Sequence, residues 1–201
     1  MTQNNLVTAT IAMVSQAAAP PQIDPRKEAE IIAVESTGSL LPDAKLTKKV
    51  QDEVALIRKQ HAIVRNVRNQ GRKHLGKVSV ENYNPQVMKK IGKTKLGPAT
   101  VKSSATKDGV ETIIEFSKPY NPDKLFFELR KLGITADPVW RSDELDFGTI
   151  EYKSDTREYE FRQGVENCKP HCTENHFWTF RITKGNKAEI TGQYATDLPE
   201  Y

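Results

Sequence analysis

Along this chain the spacing of apolar positions changes from helical, through irregular, to strictly alternating. Residues 1–24 are mildly apolar between Leu6 and Val14 and end at the prolines Pro20, Pro21 and Pro25. They hold too few large apolar groups to build a core, which predicts a flexible or partner-ordered arm. From Pro25 the segment PRKEAEIIAVES clusters Ile31, Ile32 and Val34 and stops at Ser36, Thr37 and Gly38, a short helix. After the linker SLLPDAKL comes the longest helical pattern, from near Thr47 to near Gly71. Its apolar residues Val50, Val54, Ile57 and Val64 follow spacings of four, three and seven, so they share one helix face, and His61 takes the missing place in that series. The opposite surface carries Arg58, Lys59, Arg65, Arg68, Arg72 and Lys73. The expectation is a long amphipathic helix that turns basic toward its C-terminal end, where cations suit the helix dipole.

Residues 76–97 are punctuated by Gly76, Pro85, Gly92 and Gly97 and include KKIGKTK. Their low apolar content reads as a basic loop with one or two short elements. Alternation then sets in. VKSSAT and VETIIEFS flank a Lys107-Asp108-Gly109 turn, a hairpin signal. Pro122-Asp123 opens a helix in which Leu125, Phe126, Leu129 and Leu132 recur at helical spacing before Gly133. FGTIEYK, REYEFRQ, HFWTFRITK and AEITGQYA alternate polar and apolar residues around Ser154-Asp155 and Lys184-Gly185-Asn186. These predict a four-stranded antiparallel meander, joined to the earlier hairpin and covered by the helix from Pro122, with Trp140 and Trp178 as core anchors. The class is α+β. The pattern divides the chain into an arm (1–24), a helical region (25–75), a basic loop (76–97) and an α+β domain (98–201).

Charge sharpens this picture. Between Arg58 and Lys107 there are thirteen Lys or Arg and one acid, Glu81, whereas the ninety-four residues that follow hold twelve bases and eighteen acids. The overall charge of +4 conceals that division. Dense positive charge neutralises phosphates and releases counterions without needing exact spacing. Asn66, Asn69, Gln70, Asn82 and Asn84 add hydrogen-bonding groups, but Tyr83 is the segment's single aromatic, too little for stacking successive bases. Contact with a nucleic-acid phosphate backbone, with little sequence discrimination, is one expectation. The other is an acidic protein surface, either on a different protein or on a second copy, because Asp143, Glu144, Asp146, Glu151, Asp155, Glu158 and Glu160 fall within eighteen residues. The candidate contact residues are Arg58, Lys59, Arg65, Arg68, Arg72, Lys73, Lys89, Lys90, Lys93 and Lys95.

Cys168, His171, Cys172 and His176 compose a Cys2His2 set, an accepted zinc composition, although all four ligands come from one short loop. A Cys168–Cys172 disulfide, which needs an oxidising environment, and free thiols are the rival readings. No pair of carboxylates is marked as a general acid and base, and the glycines do not follow a phosphate-loop spacing. No window of about 20 apolar residues spans a bilayer. Leu6 to Val14 lacks a preceding basic residue and is broken by Thr8 and Thr10, so the N-terminus does not read as a secretory signal, and the expected location is cytoplasmic or within a particle. These readings converge on a non-enzymatic structural subunit of a larger assembly, virion or ribonucleoprotein-like, with no cofactor. The alternatives are a soluble adaptor or regulatory protein that binds a partner through its β domain, and a small zinc module.

Overall fold

The computed structural model describes residues 23–69, 71–106, 109–141, 148–165, 172 and 174–197. Residues 1–22 of the expected arm and Lys107 and Asp108 of the first hairpin turn lie outside the described residues.

Helix α1 (Pro25–Thr37) begins where the Asp24 side chain accepts from Arg26 N at 2.8 Å, with Pro25 at the first helical position, and ends at Gly38 in the left-handed conformation. Helix α2 (Ala44–Gln60) is capped by Asp43, whose Oδ1 accepts from Leu46 N at 2.7 Å. It buries Val50, Val54 and Ile57 as the spacing predicts. It does not run on to Gly71. At His61 the backbone turns extended, His61 Nε2 meets the Ala188 carbonyl oxygen at 2.9 Å, and its ring packs on Phe180. A 3-10 turn at Ala62–Val64 follows, and Val64 enters the core from that turn and Val67 from the irregular backbone after it. A contact with a strand far along the chain thus overrides the helical pattern.

The next elements are β1 (Lys73–Val80), α3 (Pro85–Ile91), β2 (Ala99–Thr106), β3 (Gly109–Phe116), α4 (Pro122–Lys131) and β4 (Ala136–Trp140). Their antiparallel sheet has the order β2-β3-β1-β4, the split βαβ arrangement. Val78, Val80, Ile114, Phe116 and Ala136 point to one face and pack with Val87 and Ile91 of α3 and Leu125 and Leu129 of α4. Residues 76–97 hold the expected short elements, the end of β1 and the whole of α3, but they are not surface chain: β1 is an interior strand, and Val78, Val80, Val87, Ile91 and Leu96 are all buried. Few apolar residues suffice there because Val78 and Val80 alternate with polar neighbours in β1 and Val87 and Ile91 share one face of α3, so each points inward.

The expected meander is present as β5 (Thr149–Lys153), β6 (Glu158–Val165), β7 (Glu174–Thr183) and β8 (Lys187–Asp197), paired in sequence order. It is a separate sheet and α4 does not cover it. Ile150, Tyr159, Phe161, Trp178 and Phe180 pack instead beneath α1 and α2, against Ile32, Val50, Val54 and Ile57. The chain thus builds half of this core, leaves to make the split βαβ unit, and returns to finish it. The departure and return points meet, since Arg141 N donates to Arg72 O at 2.9 Å and Lys73 pairs with Trp140. The loop after α1 ties the two parts together: Asn121 N donates to Leu40 O at 2.9 Å, and Leu40 packs on the second core. Trp178 anchors the core as expected. Trp140 does not: at the end of β4, beyond the helices, it is 58% exposed with Lys73 Nζ 4.6 Å from its ring centroid.

Candidate partner-binding surface

The ten candidate contact residues separate into distinct environments. Arg58 lies inside the fold. Its two terminal nitrogens donate to Glu28 at 2.7 and 2.8 Å, Asn69 N donates to the same carboxylate at 2.7 Å, and Glu28 is 2% exposed. Arg58 also donates to the Val67 carbonyl. Arg68 is half-buried and donates to the carbonyls of Arg65 and Val67 at 2.5 and 2.9 Å, and burial, with Arg58 nearby, lowers its pKa. Lys73 pairs with Asp123 at 2.6 Å. Lys59, Arg65 and Arg72 are exposed.

Lys89, Lys90, Lys93 and Lys95 form a group, all exposed, on the last turn of α3 and the segment after it. Helix packing adds to that group. Lys90 Nζ donates to Leu132 O at 3.0 Å, which sets the end of α3 beside the end of α4, where Arg130 and Lys131 occupy the last turn. Lys95, Lys118 and Lys131 then line one hollow of about 320 Å³. Cations at the C-terminal ends of two helices also complement both dipoles. Lys118, Arg130 and Lys131 lie outside the basic run of the sequence, and only the packing of α3 against α4 reveals them as neighbours of residues 89–95.

The acidic residues are partly matched within their own sheet. Glu158 pairs with Arg181 at 2.8 Å and Glu160 with Lys153 at 2.9 Å. Asp143, Glu144 and Asp146 lie outside the described residues.

A cleft of about 690 Å³ separates the end of α1 and β5 from β1, α4 and Trp140. Glu35 stands on its wall. The residue is exposed in part, yet desolvation by the protein around its carboxyl raises its pKa above the usual carboxylate range, against a hydrogen bond from Asn69 and the charge of Arg72.

Of the zinc set, Cys168 and His171 lie outside the described residues. Cys172 is buried and held in a disulfide, so it offers no thiolate unless that bond is reduced. His176 sits on β7 with Nε2 2.6 Å from Glu174 Oε1. Among the described residues no group of three or more His, Cys, Asp or Glu gathers as a metal site, and no helix is long and apolar enough to cross a membrane.

Comparison with protein-family models, with curated proteins and with solved structures gave no match.

Proposed function

We propose that this protein is a non-enzymatic structural subunit of a larger assembly, virion or ribonucleoprotein-like, that touches nucleic-acid phosphate or an acidic neighbouring subunit through the cationic end of its split βαβ unit. The observation that carries the reading is the convergence of Lys89, Lys90, Lys93 and Lys95 with Arg130 and Lys131 at the ends of α3 and α4, beside Lys118 of the segment between β3 and α4. Residues 72–140 hold thirteen Lys or Arg against seven Asp or Glu, so the whole unit attracts polyanions. The open face of its sheet, with Lys77, Ser79, Ile113 and Glu115, has no aromatic residue at those central positions on which bases stack, which favours contact through charge.

The test is binding of a random-sequence single-stranded nucleic acid over a salt series, with a variant carrying Lys89→Glu, Lys90→Glu, Lys93→Glu and Lys95→Glu. Each neutralised phosphate contributes a slope of about −0.7 in log K against log salt. The native protein is expected to bind with a slope of about −2 to −3 and the variant to lose both affinity and slope. Equal binding by the two proteins sinks the nucleic-acid contact at this surface.

A further inference from the structure

The cationic end borders a groove whose floor is apolar. Two hollows, of about 320 and 430 Å³, share Leu41 and Lys118 and run along the loop between α1 and α2. Leu40, Leu96 and Leu132 floor the first, and Pro42 and Pro119 line the second. Leu41 stands between them, 36% exposed.

That exposure is built in. Gly38 N donates to Val34 O at 2.8 Å and Ser39 Oγ to Leu41 O at 2.7 Å, while Leu40 O accepts from Asn121 N at 2.9 Å. Asp43 then caps α2. The loop is fixed on both sides of Leu41, so the groove exists before any partner arrives. Two polar groups of the floor already satisfy each other, since Tyr120 OH donates to Leu96 O at 2.6 Å.

The rim is cationic. Its two acids are neutralised locally, Glu30 by Arg26 at 3.2 Å and Glu128 by Lys131 at 2.5 Å. Among the described residues Lys95 and Lys118 have no carboxylate within 4.0 Å. An apolar floor under unmatched lysines is complementary to side chains that are greasy in the middle and anionic at the edges.

We propose that this groove docks an acidic peptide segment of a partner protein, seating its leucine-like side chains around Leu41 and its carboxylates on Lys95 and Lys118. The inference rests on reading the cationic end as a partner surface, and it chooses between the two partners that reading allows. Nucleic acid is the poorer fit because leucine and proline offer its bases no stacking face, and Tyr120 is buried. For a peptide the same residues supply both anchoring and orientation.

The experiment is fluorescence anisotropy on the full chain with three labelled probes of matched length: a glutamate peptide with leucine at every third or fourth position, poly-glutamate, and single-stranded DNA. The leucine-bearing peptide is expected to bind about tenfold or more tighter than poly-glutamate, the worth of burying one leucine side chain. Leu41→Asp, an exposed change whose fold is checked by circular dichroism, is expected to abolish that advantage, and Lys118→Glu to weaken both peptides. Poly-glutamate or DNA binding as tightly as the leucine-bearing peptide, or Leu41→Asp leaving the preference intact, overturns the proposal. DNA binding as tight as that of the leucine-bearing peptide, and removed by the four-lysine reversal, leaves the nucleic-acid reading standing while this one falls. If no probe binds at low salt, both fall.

Discussion

Glu28 and Arg58 show how far a residue's role depends on where the fold puts it. Arg58 belongs to the basic run of the sequence, yet its guanidinium lies between α1 and the segment at Val67, in a two-pronged pair with a carboxylate that is 2% exposed. Removing one partner strands the other charge away from water, a loss of about 3–5 kcal/mol. Arg58→Met is expected to lower the unfolding free energy by that amount in a urea titration, and adding Glu28→Gln, which removes the stranded charge but keeps an oxygen for Asn69 N, to restore part of it. His74 makes a second prediction. Half-buried near Arg141 and Lys77, with Glu115 opposing them, it has a pKa below its ordinary 6.5, chiefly through desolvation. The unfolded chain therefore takes up this proton first as pH falls. Stability present above the ordinary value is lost as pH drops through it toward the lower folded value. Urea midpoints measured between about pH 7 and 5 are expected to fall, and to fall less in His74→Gln.

At the scale of elements, β1 joins what the sequence hides to what the fold requires. Gly76 has φ +68° and its N–H donates to Tyr120 O at 2.7 Å, and a Cβ there stands 2.5 Å from the Lys118 carbonyl oxygen. The pairing with β4 shifts register between Lys73 and Val78 around it. Gly76→Ala is expected to cost roughly 2 kcal/mol or more, read as a lower thermal midpoint. The same bulge interrupts alternation and leaves only Val78 and Val80 to signal a strand, which is why the first three residues of β1 read as the end of the helical region and the rest as loop. Where signals are local, the reading holds. Pro122 follows an Asn121 cap in α4, and β7 and β8 flank a Gly185-Asn186 turn over long period-two runs. The end of α2 is set by His61 reaching Ala188, 127 positions away, so no nearby residue announces it. The candidate surface is legible in the same measure: residues 89–95 stand out as a charge run, whereas Lys118, Arg130 and Lys131 join them only through tertiary packing.

The molecule as a whole holds two cores, and the second lies within a loop of the first. Its members run from Val78 to Ala136, with Leu40 as the outside contribution, and its ends are tied by the Arg141–Arg72 hydrogen bond. A fragment of residues 72–141 is therefore expected to fold alone, with cooperative thermal unfolding and dispersed amide resonances. A non-cooperative melt of that fragment would show that the α1–α2 loop is indispensable to it. The outer core has the opposite character, because Ile32, Val50 and Ile57 meet Tyr159, Trp178 and Phe180 across the whole intervening unit. On the ribosome this imposes an order. The inner core is complete once Trp140 has emerged, but the apolar faces of α1 and α2 stay uncovered until β7 and β8 are made. During that interval the two helices are what a chaperone would hold.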